Sequence, residues 1–366
     1  MRLLLCGGAT AGHIFPIIAT ASALKHRTPN LASLAIGGGS NLDRQLFSEA
    51  NLDFVATTAA PIVGTNYQLP WNILKTIIAT TKANQVVRQF RPHVALSSGG
   101  YASIPASIAC KLQGIPLILQ THDIDPGQAA RLIARFAKVI TIVCHPAAAG
   151  FYGRQTAVTG LPLRGEFRQA NAERARSRFS IPEGKPLLVV MGGSQGAKVI
   201  NEAIGPILSP ILQTAYVVHL TGPQGIKHAQ SIRQYLPANM KQYYLPISFL
   251  EAGISDLFLA ADLVISRAGG SIHEFTASGL PSLLIPGTYA GAHQRSNAIW
   301  LQNAGAALVL EEGRLSPETL LRETSNLLDN PPLLTRMGNA ATFLGRPDAA
   351  DRVAELLTNI SAPRAA

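Results

Sequence analysis

Cysteine is scarce. Cys6, Cys110 and Cys144 are far apart, with no CxxC pair and no zinc-ligand spacing. A disulfide framework is therefore not expected, and a reducing cytoplasm is the natural compartment. Charge is also thin, at 14% Asp, Glu, Lys and Arg, against 47% hydrophobic residues. That balance excludes global disorder and supplies a core. No apolar run reaches the roughly 18 residues of a membrane-spanning helix. The opening Met1-Arg2-Leu3-Leu4-Leu5-Cys6 ends at Gly7-Gly8 and reads as a buried first strand, not a signal peptide. No acidic cluster is read as a Mg²⁺ or Mn²⁺ site, so neither a metal nor a cofactor is expected.

What charge there is leans positive, with 31 Lys+Arg against 21 Asp+Glu, a net +10 and an isoelectric point near 9.8. The basic residues are dispersed and form no nucleic-acid motif, so a diphosphate ligand or an anionic membrane surface fits better. The 366 residues suit two domains. Short apolar runs alternate with longer helical segments. In the first half the runs are Arg2–Cys6, Leu31–Ile36, Val94–Ser97, Leu117–Gln120 and Val139–Val143. The pattern restarts with Leu187–Met191, Tyr216–Leu220, Leu263–Ser266 and Ser282–Pro286. Apolar runs between helices imply parallel strands buried on both faces, hence α/β architecture with two doubly wound, Rossmann-like domains. The expected domains are 1–160 and 161–340, joined near 160–166, with a terminal segment 341–366. In that segment Asp348 can cap a helix whose Ala349, Val353, Leu356 and Leu357 form an apolar stripe that packs back on the first domain. Ser361–Ala366 reads as a frayed tail.

Glycine-rich loops follow several of the runs. The first is Gly7-Gly8-Ala9-Thr10-Ala11-Gly12-His13, leading into a helix. Such a turn lets backbone N–H groups approach an anion at the helix's positive end. It is neither GxGxxG nor a Walker A loop, and a purely structural turn stays open. His13 beside it is a candidate base. A second loop, Ser97-Ser98-Gly99-Gly100-Tyr101, also follows an apolar run. A third, Met191-Gly192-Gly193-Ser194-Gln195-Gly196-Ala197, opens the second half. Together they suggest two phosphorylated ligands facing each other across a cleft; three tight turns is the plainer alternative. Further on, Ser266-Arg267-Ala268-Gly269-Gly270-Ser271 ends a strand, and Glu274 lies in the first turn of the next helix. Its carboxylate can accept from a ribose diol or serve the helix start. His293, Gln294 and Asn297 begin a later helix, where polar side chains suit sugar hydroxyls or simply face water.

Taken in order, these motifs resemble the GT-B glycosyltransferases, and within them the MurG family, over nearly the whole chain. Gly192–Ala197 matches the family's third loop without change, and Gly160-Leu161-Pro162-Leu163-Arg164 is similar to its Gly-Asn-Pro-Val-Arg hinge. The resemblance implies two Rossmann-like domains with a cleft between them. It implies inverting transfer of GlcNAc from UDP-GlcNAc to undecaprenyl-diphosphate-muramoylpentapeptide, lipid I to lipid II, in peptidoglycan synthesis. In the second domain Leu250 would lie against the uracil and Glu274 would hold the ribose. Ser194, Arg164 and Gln294 would face the donor, and Gly270, Ser271, Ile272 and His273 would offer backbone groups to its diphosphate. Thr10, Ala11 and Gly12 would approach the donor sugar, with Asp125 at the position of a sugar-contacting Asn. Gly99, Gly100 and Tyr101 would take the acceptor. His13 is the expected base, and Asp123, at the family's glutamate position, is the other candidate.

This sequence departs from the family at several points. His-Glu-x-Asn stands here as His122-Asp123-Ile124-Asp125 in a shorter loop, the first glycine loop is longer, and Ala292 replaces an Asp before His293. The departures fall on the sugar and acceptor side. A GT-B enzyme with another UDP-sugar or lipid acceptor, a UDP-GlcNAc 2-epimerase and a non-catalytic nucleotide-sugar-binding protein therefore remain alternatives. Trp71, Leu74 and Ile78 share one helical face near Lys75 and Lys82. That face reads either as core or as a shallow membrane patch, and the resemblance favours the membrane. The expected location is peripheral, on the anionic cytoplasmic side of the cell membrane, with no nucleic-acid partner.

Overall fold

In a computed structural model the chain divides into two compact units, Met1–Arg164 with Pro347–Ala366, and Gly165–Arg346. The structure describes residues 1–57, 69–250, 252–288 and 293–361; Ala292 and the tail beyond Ser361 lie outside the described residues.

The first unit is built on strands β1 (Arg2–Cys6), β2 (Ala32–Gly37), β3 (Asp53–Ala56), β4 (Val94–Ser97), β5 (Leu117–Gln120), β6 (Val139–Ile142) and β7 (Thr156–Val158). They lie in the order β3-β2-β1-β4-β5-β6-β7. Every pairing is parallel. The connecting helices include α1 (Ala11–Arg27), α2 (Asn41–Glu49), α3 (Leu69–Phe90), α4 (Ile104–Leu112) and α5 (Gln128–Ala134). The winding starts at β1, runs outward to β3, then returns to β4 on the other side. β1 and β4 are therefore neighbours whose following loops leave in opposite directions, which opens a crevice at their carboxyl ends. The helix Ala349–Ser361 packs against α1. Its Val353 and Leu357 share a core with Leu3, Leu5, Ile14, Ile17 and Leu24. Each such aliphatic side chain contributes roughly 1.5–3 kcal/mol by leaving water. Asp348 forms an ion pair with Arg352 at 2.7 Å beside the start of this helix.

The second unit repeats the plan with β8 (Leu187–Met191), β9 (Tyr216–Leu220), β10 (Tyr244–Ile247), β11 (Leu263–Ser266), β12 (Ser282–Leu284) and β13 (Ala307–Val309). Their order is β10-β9-β8-β11-β12-β13, again all parallel. Alternation along β8 shows why the strand is apolar throughout: Leu187, Val189 and Met191 enter one core, Leu188 and Val190 the other. Both faces are covered, as the uninterrupted apolar runs predict. The reversal of winding here falls between β8 and β11.

Helix α3 departs from this economy. Its buried positions Thr76, Ala79, Ala83 and Val87 recur at helical spacing. The face that packs on α4 is thus made of small and medium side chains. Trp71 (66% exposed), Ile73, Leu74, Ile77 and Ile78 (61%) point to solvent instead. Among the described residues no helix is long and apolar enough to cross a membrane.

Candidate active site

In the first unit the crevice is walled by the loops after β1, β4 and β5. Thr10 precedes α1 in extended conformation, and its carbonyl accepts from the N–H groups of His13 (3.1 Å) and Ile14 (3.2 Å). The first turn of α1 has no acidic side chain, and the Thr10 side chain makes no capping hydrogen bond. The positive end of a 17-residue helix thus faces outward with Thr10, Ala11 and Gly12 around it.

His13 joins this loop to the next. Its Nδ1 lies 3.0 Å from the carbonyl oxygen of Ser98. A carbonyl only accepts, so Nδ1 carries the proton and Nε2 is the basic nitrogen. Gly100 lies against the same ring: a Cβ built there would stand 3.2 Å from Nε2 and from Cδ2. Gly99 is at φ +76°, a left-handed conformation, with Leu119 and Gln120 behind it. Gly99 is thus favoured by its backbone conformation, and Gly100 by the tight approach of the imidazole. Tyr101 follows them, partly exposed. Burial pulls the His13 pKa below its ordinary value, while the Ser98 carbonyl and the charge of Asp123 oppose that shift. The result is a neutral imidazole with a defined tautomer, suited to accept a proton at Nε2. The His122 ring meets His13 edge-on at 4.6 Å between centroids.

The structure therefore brings together Thr10–His13, Gly99, Gly100 and Asp123. On the same loop, Asp125 Oδ1 accepts from Arg131 Nη2 at 2.6 Å. Asp123-Ile124-Asp125 has the Asp-x-Asp spacing that the metal reading of the sequence passed over. In the structure Asp123 acts on His13 and Asp125 is paired with Arg131. Among the described residues no group of His, Cys, Asp and Glu could hold a metal ion. Arg164 places its guanidinium 5.1 Å from the centre of the Phe15 ring on α1.

In the second unit the corresponding crevice lies between the loops after β8 and β11. Gly192 can carry no side chain, because a Cβ would fall 2.1 Å from the Ala197 nitrogen. Gly196, at φ +78°, would press a Cβ to 2.1 Å from the Thr221 carbonyl oxygen. The loop is folded tightly on itself and on the end of β9, leaving Ser194 and Gln195 exposed at its tip. After β11, Ile272 is fully buried in the core and His273 is buried near Trp300, so only their backbone faces the turn. The N–H groups of Ile272 and His273 donate to the carbonyls of Gly269 and Gly270 at 3.2 Å. Glu274 stands half-buried in the first turn of the helix Ile272–Ala277. Leu250 packs its side chain into the core of the unit. Gln294 Oε1 accepts from the Gly287 N–H at 2.8 Å, closing the approach to the helix His293–Asn303.

Several residues that hold these loops are not apparent from motif spacing. Asn297, for which the sequence left sugar hydroxyls or water as partners, is fully buried and donates from Nδ2 to the Ala268 carbonyl at 3.0 Å. Arg267 donates from Nη1 to the Ile285 carbonyl at 2.9 Å and forms an ion pair with Glu312, tying the ends of β11 and β12 together. Beneath the β8 loop, Asn201 Nδ2 donates to the Thr221 carbonyl at 2.8 Å. Its Oδ1 therefore faces His219 Nε2, at 3.0 Å, and that nitrogen carries the proton. The Tyr244 hydroxyl then donates to His219 Nδ1 at 2.9 Å. Burial drives the His219 pKa down to about 3 and pushes the Tyr244 phenol up, so the chain of bonds is neutral and fully paired. A histidine inside the apolar run Tyr216–Leu220 is the sequence signal for it.

Comparison with known proteins identifies the family. Residues 3–142 match the glycosyltransferase family 28 N-terminal domain, and residues 187–353 match the family's C-terminal domain. The chain is 34% identical over 98% of both lengths to the UDP-N-acetylglucosamine--N-acetylmuramyl-(pentapeptide) pyrophosphoryl-undecaprenol N-acetylglucosamine transferase of Moorella thermoacetica. The crystal structure of MurG from Acinetobacter baumannii superposes with a TM-score of 0.76 at 23% identity, covering 98% of this chain and 99% of that one. UDP-GlcNAc 2-epimerase from Neisseria meningitidis, solved bound to UDP-GlcNAc, gives 0.72 at 14% identity over 98% and 100%, a likeness of fold alone. With both family domains matched in order on the two doubly wound sheets, the chain belongs to glycosyltransferase family 28.

Proposed function

We propose that this chain is the UDP-GlcNAc-dependent N-acetylglucosaminyltransferase of peptidoglycan synthesis, converting undecaprenyl-diphosphate-muramoylpentapeptide to the disaccharide lipid. The substrate assignment follows the relatives of matching length. For the chemistry, the carrying observation is the imidazole of His13, fixed by the Ser98 carbonyl with its basic Nε2 in the crevice of the first unit.

The reaction is one displacement. The acceptor hydroxyl attacks the anomeric carbon of GlcNAc, the bond to the UDP oxygen breaks, and configuration inverts. His13 Nε2 takes the hydroxyl proton, and the charge of Asp123 stabilises the imidazolium that forms. The acceptor diphosphate sits at Gly99–Tyr101 and at the uncapped positive end of α1. Glu274 accepts from the ribose hydroxyls of the donor. The loops at Gly192–Ala197 and Gly269–Ser271 take the diphosphate, whose charge grows as UDP leaves. Ser194, Arg164 and Gln294 complete the donor contacts. Leu250 contributes through the loop that its buried side chain anchors.

The exposed apolar face of α3, with Lys75 and Lys82 beside it, supports binding to the anionic inner face of the cell membrane. A shallow insertion there keeps the polyprenyl chain in the bilayer while its diphosphate reaches the protein.

The test is turnover of labelled UDP-GlcNAc with a lipid I analogue, beside a control without acceptor. Labelled disaccharide-lipid is the expected product. Conversion of UDP-GlcNAc in the control would instead indicate an epimerase. UDP binding without any conversion would indicate a different acceptor.

A further inference from the structure

Asp43 lies in the first turn of α2 and is fully buried. Its own N–H donates to Ser40 Oγ at 3.1 Å, an ordinary capping arrangement. Its carboxylate reaches beyond that helix. Oδ2 accepts from the N–H groups of Gly39 at 2.8 Å and Ser40 at 3.3 Å. Oδ1 crosses to the first glycine loop and accepts from the N–H of Ala9 at 2.8 Å. Gly8 must be glycine to permit this approach, since a Cβ there would lie 2.8 Å from Oδ2.

Ala9 is at φ +75°, in the left-handed region that an L-residue rarely adopts. Its neighbour Thr10 supplies the carbonyl on which the first turn of α1, including His13, is hung. The strained residue thus sits between the carboxylate that holds it and the turn that carries the imidazole. Capping α2 would need only one carboxylate oxygen. The second is spent on a loop 34 residues away in sequence.

We propose that Asp43 is a positioning residue for the transfer reaction: its carboxylate holds Ala9 in the left-handed conformation and so sets the path of Thr10–Gly12 and the start of the His13 helix. This rests on the function proposed above. The carboxylate is required because both oxygens accept. An amide would turn an NH₂ group against either the Ala9 N–H or those of Gly39 and Ser40.

The experiment compares the wild type, Asp43→Asn, Ala9→Gly and the double variant in three readouts: kcat, UDP affinity, and amide exchange of the segment 7–13. Asp43→Asn is expected to lower kcat at least roughly tenfold, as misplacement of a catalytic loop does. Exchange around Ala9 should quicken by about the same factor, with UDP affinity within about twofold of wild type. Ala9→Gly in the Asp43→Asn background should recover about a third or more of the lost kcat, because glycine adopts this φ without being held. Unchanged exchange or unchanged kcat in Asp43→Asn overturns the proposal. So does a loss of kcat that Ala9→Gly fails to relieve while UDP still binds. Where Asp43→Asn does not fold, Ala9→Val decides. A β-branched residue is the worst tenant of this conformation, so kcat falls with UDP affinity kept; a kcat within about twofold of wild type overturns the proposal. A wild type that makes no disaccharide-lipid defeats the functional reading instead, and the exchange comparison then still tests whether Asp43 holds the loop.

Discussion

The two crevices are built on one plan and differ in what fills it. Each opens where the winding of a parallel sheet reverses, between β1 and β4 in the first unit and between β8 and β11 in the second. Each is walled by glycine loops. In the first, the polar groups are ionisable: His13 with a fixed tautomer, His122 edge-on to it, Asp123 acting on its charge. In the second, the groups that hold the loops are neutral or paired: Asn201, His219 and Tyr244 beneath one loop, Asn297 and the Arg267–Glu312 pair behind the other. Under the proposed function, the same topology serves as a reactive site in one unit and as a rigid binding cradle in the other. Fold alone does not separate them; side-chain chemistry does.

Removing the base breaks the comparison most severely. His13→Ala is expected to lower kcat by about 10²–10⁴, with UDP affinity unchanged by isothermal titration. Retained turnover would remove the proton-transfer role from the first crevice. Asp123→Asn sharpens the same point through pH. The charge of Asp123 raises the His13 pKa and burial lowers it. Without the charge, the imidazole needs a lower pH to protonate, so the acid limb of kcat/KM should move to lower pH. A limb that stays in place or moves upward would refute the assignment.

Glu274→Ala should produce the complementary defect. Loss of a carboxylate that accepts from two ribose hydroxyls costs about 1.5–3 kcal/mol, or roughly 10–100-fold in affinity for UDP. The kcat at saturating donor should change far less. If kcat falls and UDP affinity holds, the second crevice takes part in the chemistry and the contrast drawn here is wrong.

How much of this could be read from the sequence differs within each sheet. The inner strands were legible because burial on both faces leaves them apolar throughout, as in Leu187–Met191. The four edge strands, β3, β7, β10 and β13, were not singled out. They pair on one side only; Asp53 in β3 is exposed, and β7 is half-buried throughout. The glycine loops were legible because close backbone approach demands glycine whatever the partner. Their partners were not. Asp43 reaches Ala9 across 34 residues, and Asn297 reaches Ala268 across 29. No local spacing rule relates such residues. Leu250 is a further case: only the family resemblance singled it out, as a uracil contact, and the structure adds that its side chain packs in the core of the unit.

The apolar face of α3 belongs to the first unit only, and it offers a milder test. Replacing Trp71 and Ile78 with Ser removes two side chains exposed to 66% and 61%. Binding to anionic vesicles in a flotation assay should weaken about tenfold or more, since burial of an apolar side chain contributes roughly 1.5–3 kcal/mol. Turnover of a short-chain acceptor free in solution should be unaffected. Equal vesicle binding by the variant would move the membrane contact away from this helix.

The smallest effect expected is thermodynamic and confined to the second unit. His219 has a folded-state pKa near 3, against about 6.5 when unfolded. Below pH 6.5 the unfolded chain binds a proton that the folded unit excludes, so this residue's contribution is fully present above 6.5 and is lost as pH falls toward 3. The slope contributed is at most about 1.4 kcal/mol per pH unit. His219→Gln retains an amide donor toward Asn201 Oδ1 but has no such proton to gain. Its unfolding free energy should therefore start lower at pH 7.5, for the loss of the Tyr244 contact, and fall less steeply on acidification. Denaturant titrations at pH 7.5, 6.0 and 5.0 measure both. Parallel slopes in the two proteins would mean that His219 is not the neutral, buried centre of the network, and the rigidity claimed for the second crevice would lose its basis.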